Sequence, residues 1–354
     1  MLRFTRFASH AIQKSSFAVA GLLIGTLSLC PSARADAVED FYRGKTITLL
    51  IGYTPGGTYD AYGRLVARFM GDHIPGRPTI VPRNMPGAAS RVAAAHLANV
   101  GPRDGTMLAT ADQSLALAQA MGEKLQFDVT KFTWIGNPSA GNNTTVTWHT
   151  TGVKTIEDAR AREVTMGATG GSTSSQYPKA MNSVLGTKFK IITGYPGGND
   201  INLAMERGEV GGRGSDSWAS WKATRPEWLK EKKINILVQI GLTKAPDLQN
   251  VPLLHDLAAN PEDRAVLRLL SAPSVIGRPI FGPPGVPAER VKALRQAFDA
   301  TMKDPAFIAE LEKAQLELEP VSGEELERLV NEIAATPKPV ADRLAEIIGI
   351  EGAK

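Results

Sequence analysis

The chain has 354 residues, of which 43% are apolar and 21% charged, a composition that excludes long disorder and exceeds what one small core needs, so two lobes are expected. Its single cysteine excludes a disulfide framework and any cysteine-based zinc or iron–sulfur site. The formal charge of +4 is local: residues 1–35 carry Arg3, Arg6, Lys14 and Arg34 and no acid, leaving 36 basic against 36 acidic side chains beyond them. Without a basic surplus, nucleic-acid binding loses its main support.

Those first 35 residues read as a secretory signal. A basic start leads into an apolar run from Phe17 to Leu29, and Ala33-Arg34-Ala35 forms a small-x-small cleavage site. The run is 13 residues long, short of the roughly 20 that a membrane helix needs. Leu27-Ser28-Leu29-Cys30 faintly resembles a lipoprotein signal, with the bulky Leu29 where a small residue is wanted. Cleavage after Ala35 removes Cys30, and the expected product is an exported protein.

Beyond the signal, four segments share one grammar of apolar strand, glycine-rich turn and amphipathic helix. Thr46 to Tyr53 is followed by Thr54-Pro55-Gly56-Gly57 and a helix from about Asp60. Thr79-Ile80-Val81 is followed by Asn84-Met85-Pro86-Gly87 and an alanine-rich helix from about Ala89 to Asn99. Glu163 to Gly167 is followed by Thr169-Gly170-Gly171 and a helix from about Thr173 to Leu185. Phe189 to Thr193 is followed by Gly194-Tyr195-Pro196-Gly197-Gly198 and a helix that Asn199 or Asp200 is expected to cap.

Strands alternating with helices predict α/β lobes whose sheets are mostly parallel and flanked by helices. Two units precede residue 140 and two follow it. The polar stretch Asn137 to Thr147 reads as a crossing between lobes, and the Pro- and Asp-rich stretch Lys244 to Pro252, after an apolar strand at Ile234 to Ile240, reads as the return. The expected division is 1–35 signal, 36–139 plus 250–354 for lobe 1, and 140–249 for lobe 2. Helices near Ala288 to Met302, Pro305 to Ala314 and Gly323 to Ile333 complete the chain.

Ligands of open α/β sheets bind beyond the carboxyl ends of the strands, where these turns lie. Helix N-termini there offer free N–H groups and the positive end of the helix dipole, a setting for anions. Ser172 to Ser175 at a helix start supply one N-cap and further hydroxyls. Arg213, in the small-residue run Gly211 to Asp216, reads either as a bidentate carboxylate clamp or as a partner of Asp216. Trp218 and Trp221 read as core residues, and Tyr53 and Tyr195 precede turns over the cleft. No nucleophile elbow, zinc-protease motif or phosphate loop occurs, and His73, His96, His149 and His255 are scattered without metal-ligand spacing. No cofactor or metal is expected.

The run Ile51 to Asp60 (IGYTPGGTYD) resembles the opening loop of the solute receptors of tripartite tricarboxylate transporters, the Bug-type extracytoplasmic binding proteins. Asn84 to Ala89 with Pro102 to Leu108, Gly167 to Ser172, Gly194 to Gly198 with Glu206 to Val210, Val251-Pro252 and Pro283 to Pro287 extend the resemblance in order along nearly the whole mature chain. Gly194-Tyr195-Pro196-Gly197 stands where the family usually has Val-Pro-Tyr-Lys/Arg-Gly. The resemblance implies a two-lobed, type II-like periplasmic binding fold hinged around a cleft. It implies a small organic carboxylate held by loops around 53–58 and 170–173, with the 194–198 turn facing it. It also implies delivery, by a monomeric receptor, to a small and a large membrane subunit. Turns and resemblance together nominate Tyr53, Pro55, Gly56, Gly57, Thr58, Asp60, Pro86, Gly87, Thr169, Gly171, Ser172, Thr173, Tyr195, Gly197, Arg213 and Asp216 as ligand-binding residues. Two other readings use the same cleft: a sensor presenting its ligand to a membrane kinase, and an enzyme with Asp60 or His149 as acid or base.

Overall fold

Each of the four glycine-rich turns lies between a strand and a helix in the computed structural model, which describes residues 32–349. The apolar run of the expected signal and Cys30 lie outside the described residues. Helix α1 (Ser32–Tyr42) begins just before the expected cut after Ala35 and leads into β1 (Thr46–Ile51) and α2 (Thr58–His73). Then come β2 (Thr79–Asn84), α3 (Arg91–Asn99), β3 (Met107–Thr110), α4 (Leu115–Ala120) and β4 (Thr133–Asn137). The next stretch holds β5 (Asn143–Trp148), α5 (Ile156–Ala161), β6 (Val164–Ala168), α6 (Thr173–Ala180), β7 (Phe189–Thr193) and α7 (Gly198–Glu206). It continues through β8 (Gly212–Ser217), α8 (Trp218–Thr224), α9 (Pro226–Lys230) and β9 (Ile234–Ile240). The chain closes with α10 (Pro261–Ser271), β10 (Ile280–Gly282), α11 (Ala288–Thr301), α12 (Pro305–Lys313), β11 (Val321–Ser322), α13 (Gly323–Ala334) and α14 (Lys338–Ile348).

The strands form two sheets, β11-β4-β10-β3-β1-β2 and β7-β6-β8-β5-β9, each flanked by helices. Both are mixed. The parallel pairs, β1 with β2 and β3, and β6 with β7 and β8, come from the strand–turn–helix units. The strands that enter from a crossing run the other way: β5 is antiparallel to β8 and β9, and β10 to β3 and β4.

Strand β5 corrects the reading of 137–147 as one crossing. Only residues 138–142 cross, and Asn143–Trp148 is a central strand of the second sheet. Its threonines are buried because their hydroxyls have backbone acceptors: Thr145 Oγ1 donates to the Gly214 carbonyl at 2.8 Å and Thr144 Oγ1 to that of Asp216 at 3.2 Å. The small-residue run Gly211 to Asp216 falls largely in strand β8, whose carbonyls accept those hydroxyls.

The stretch 244–252 does not cross either. Gln239 pins it to β9, donating from Nε2 to the carbonyls of Leu248 and Val251, both at 2.8 Å, and accepting the Ala245 N–H at 2.8 Å. The chain returns at residues 276–279, after α10, and passes over once more between α13 and α14, which packs on α6 and α10. A shared apolar cluster runs from Trp134 and Phe281 of the first sheet through Leu326 and Val330 of α13 and Leu344 of α14 to Met166 and Leu237 of the second.

Trp221 is fully buried, stacks on Trp228 with ring centres 5.9 Å apart and donates to Thr144 Oγ1 at 2.9 Å, as a core residue should. Leu344 is likewise fully buried. Leu344→Ala is expected to lower unfolding free energy by about 2–5 kcal/mol, the usual loss for a buried leucine, seen as a lower urea midpoint at unchanged slope. An unchanged midpoint would mean that α14 is not docked on the second sheet.

Candidate functional site

One cleft lies between the two sheets, at the carboxyl ends of β1, β3, β6 and β8 and at the amino ends of β5 and β10. The first lobe contributes Tyr53, Thr54 and Gly56 to Tyr59 from the β1–α2 loop, with Asp112 and Gln113 after β3. Tyr53 donates its hydroxyl to the Asp112 carboxylate. Tyr59 donates to the Gly277 carbonyl and accepts the Gln113 N–H, both at 3.1 Å. Burial, and then the charge of Asp112, push both phenols well above their ordinary pKa, so they remain protonated donors.

The second lobe contributes Thr169 and Ser172 to Ser174 from the β6–α6 turn, Gly198, Asn199, Ile201 and Asn202 from α7, and Ser215 to Ser217 with Ser220 from the β8–α8 junction. Ser172 caps α6 by accepting the Ser174 N–H at 3.2 Å. Helices α2 and α7 have no such side-chain cap; each begins after a glycine, Gly57 or Gly197. Asn199 and Asp200, the expected caps of α7, are engaged elsewhere: Asn199 accepts from Arg225 at 2.8 Å and Asp200 accepts from Thr54 of the other lobe at 2.9 Å. Two uncapped N-termini, one from each lobe, therefore line the same cleft. The glycines at 197 and 198 let the backbone approach closely, since a Cβ at either would displace the Thr54 hydroxyl or the Arg213 guanidinium.

Four charged side chains line the walls. Arg213 pairs with Asp216 and also donates to Asn202 at 3.1 Å. Burial pulls its guanidinium below the ordinary pKa while Asp216 works the other way. Asp216 further accepts the Ser217 N–H and the Ser220 hydroxyl, each at 2.9 Å. Arg278, only 5% exposed, lies over the rings of Tyr59 and Tyr62 and donates to Ser217 of the opposite lobe. Among the described residues no carboxylate comes within ion-pair distance of Arg278. The Nε atoms of both arginines are buried without an acceptor. The lobes are also joined by Thr58 with Ser220 and by Lys222 with Glu317.

Of the residues nominated from sequence, Tyr53, Gly56, Gly57, Thr58, Thr169, Ser172, Thr173, Arg213 and Asp216 line this cleft, whereas Pro55, Gly171, Tyr195 and Gly197 do not. Asp60 stands behind the loop, accepting from Gly56 N–H at 3.1 Å, Arg64 Nε at 2.9 Å and Asn84 Nδ2 at 2.8 Å. Pro86 and Gly87 also stand behind it. There Ala88, Ala89 and Ser90 have φ of 43°, 50° and 67°, a left-handed turn costing about 1–2 kcal/mol per residue. It places Ser90 Oγ 3.1 Å from the Gly52 carbonyl, supporting the base of the loop.

The nominated set lacks the other lining residues, chief among them Tyr59, Asp112, Gln113, Asn143, Asn202, Ser217, Ser220 and Arg278. The pair Asp112-Gln113 follows a strand and precedes a helix, a unit without glycine that a periodicity scan could have found. Asp60 and His149 form no acid–base pair: Asp60 is engaged as described, and His149 is exposed just beyond Trp148, at the end of β5 away from Asn143.

The chain matches the tripartite tricarboxylate transporter family receptor over residues 64–345. It belongs to that family. The receptor is 23% identical to the UPF0065 protein in gbd 5'region of Cupriavidus necator over 343 residues, 95% of this chain and 97% of that one. Its fold is similar to R. palustris Rpa4515 with adipate (TM-score 0.66, 21% identity, covering 86% of this chain and 97% of that one). It is also similar to MatC (Rpa3494) from Rhodopseudomonas palustris with bound malate (TM-score 0.67, 18% identity, covering 86% and 99%). The periplasmic binding protein BugD matches with TM-score 0.70 and 16% identity, covering 87% and 99%. The receptor is a solute-binding protein of a tripartite transporter with the two-lobed architecture of periplasmic binding proteins.

In this receptor Asp60 has a checkable stability role. Burial works to raise its carboxyl pKa, but bonds from Arg64, Asn84 and Gly56 together hold it below the ordinary 3.8. Its ionised form therefore adds stability above pH 3.8, and that contribution is lost as pH falls through the lowered value. Asp60→Asn should be less stable than the parent at pH 7, with the difference shrinking toward pH 3 in urea titrations. A difference that stays constant or grows on acidification would contradict the assignment.

Proposed function

We propose that the receptor captures a small organic carboxylate in this cleft and hands it to the small and large membrane subunits of its transporter. The observation that carries the reading is the pair of uncapped helix N-termini, Gly57-Thr58 and Gly198-Asn199, entering one cleft from opposite lobes beside Arg278. Unpaired N–H groups at the positive ends of two helix dipoles favour an anion between them. The related structures carrying adipate and malate support the same ligand class.

Capture couples to shape because the contacts that join the lobes flank the site. Thr54 to Asp200, Thr58 with Ser220, and Arg278 to Ser217 all connect residues that line the cleft or adjoin it. A ligand contacting both walls adds to those contacts and favours the closed form. The division we propose is 36–139 with 277–336 for lobe 1 and 140–276 with 338–348 for lobe 2, since residues 254–271 and 338–348 pack on the second sheet's side. Cleavage after Ala35 would release the receptor to the periplasm, where it acts as one copy per ligand.

A thermal-shift panel of mono- and dicarboxylates, sugars and amines at about 1 mM tests the reading. A carboxylate with a micromolar dissociation constant adds roughly 4 kcal/mol of stability at that concentration, an upshift of several degrees. Response to sugars or amines alone would overturn the carboxylate assignment.

A further inference from the structure

The side chains that line the cleft are mostly polar. Fourteen of its twenty-four lining residues carry a hydroxyl or an amide on a Ser, Thr, Asn or Gln side chain, and Ile201 is the only aliphatic one. The hydroxyls are also oriented. Thr54 donates to Asp200 at 2.9 Å, Thr169 to the Tyr195 carbonyl at 2.8 Å, Ser172 to the Thr169 carbonyl at 2.9 Å and Thr224 to the Ser220 carbonyl at 2.8 Å. With their protons committed to the protein, the oxygens of Thr54, Thr169 and Thr224 keep lone pairs for a ligand, while that of Ser172 is filled by Ser174. Such a wall suits a ligand that donates hydrogen bonds.

The charges narrow the class further. Arg213 is already neutralised by Asp216, which leaves Arg278 as the guanidinium in the cleft without a carboxylate partner. A ligand with one carboxylate matches it. That carboxylate takes the place between the two helix N-termini, and a second one, left to the rest of the wall, would meet hydroxyl acceptors and two resident carboxylates. An ammonium finds no free anion: Asp112 is occupied by Tyr53 and Ser114, and Asp216 by Arg213, Ser217 and Ser220. The enclosed space is about 60 Å³, room for roughly four to six waters at ~10–15 Å³ each on the same measure.

Resting on the carboxylate reading above, we propose that the ligand is a short hydroxylated monocarboxylic acid of two to four carbons, its carboxylate taken by Arg278 and its hydroxyls by the acceptor wall. Removing the hydroxyl leaves that wall unsatisfied, and adding a carboxylate repels it.

Isothermal titration of the mature receptor with glycerate, propionate, succinate, serine and benzoate tests the class. Glycerate is expected to bind at least ~10-fold tighter than each of the others, the scale of one charge-assisted hydrogen bond. Arg278→Gln should weaken glycerate roughly 10- to 100-fold and bring its preference for glycerate over the neutral glyceramide toward unity, a ratio that a purely structural role would leave intact. Should that variant fail to fold, the panel on the unmodified receptor decides alone. Succinate or benzoate binding as tightly as glycerate would overturn the inference and leave the carboxylate reading standing. No binding by any carboxylate would overturn both. Wild-type glycerate affinity in the Gln variant would remove Arg278 from the site.

Discussion

Enclosing a guanidinium costs several kcal/mol unless a carboxylate or a set of acceptors surrounds it, and this cleft encloses two. The architecture answers that cost in two different ways. Arg213 and Asp216 lie on one strand, three residues apart, and neutralise each other within lobe 2. Arg278 is held instead by the rings of Tyr59 and Tyr62 and by acceptors contributed from a crossing and from the other lobe, Ser139 and Ser217. One cation is thus a fixture of its own lobe, while the other is completed only where the two lobes meet. The contrast makes the cleft responsive to an anion without leaving it strongly positive.

The glycine-rich turns could be read from sequence because their cause is local. A strand that stops at Pro-Gly-Gly and resumes as a helix writes its geometry into consecutive residues, and the helix N-termini that line the cleft follow from it. The extent of the first loop, Tyr53 to Thr58, was legible on those grounds. What the turns did not reveal is which glycine-flanked residues face inward. Pro86 and Gly87 share the grammar, yet their loop folds into a left-handed turn behind the first one.

The remainder was hidden for reasons that pairing makes plain. Strands β5 and β8 are built from Thr, Ser and Gly, residues that read as loop until their hydroxyls find carbonyls on a neighbouring strand. The return point was misplaced because a proline-rich stretch reads as a linker, whereas Gln239 ties this one back onto β9. Asn143 and Arg278 reach the cleft from the amino ends of antiparallel strands, a position with no turn signal. Arg278 and Ser217 are separated by 61 residues, and only the assembled fold brings them together.

The place of β10 has a consequence for how the molecule comes into being. This short strand sits between β3 and β4, so the first sheet is not continuous until residues near 280 are available, and α14 then covers the second sheet with nearly the last residues of the chain. Contacts so distant in sequence carry a large loop-closure cost and slow the acquisition of structure. Each sheet is therefore completed by elements far along the sequence from its first strands, β10 for the first and α14 for the second, so the early strand–turn–helix units are not self-sufficient folding units.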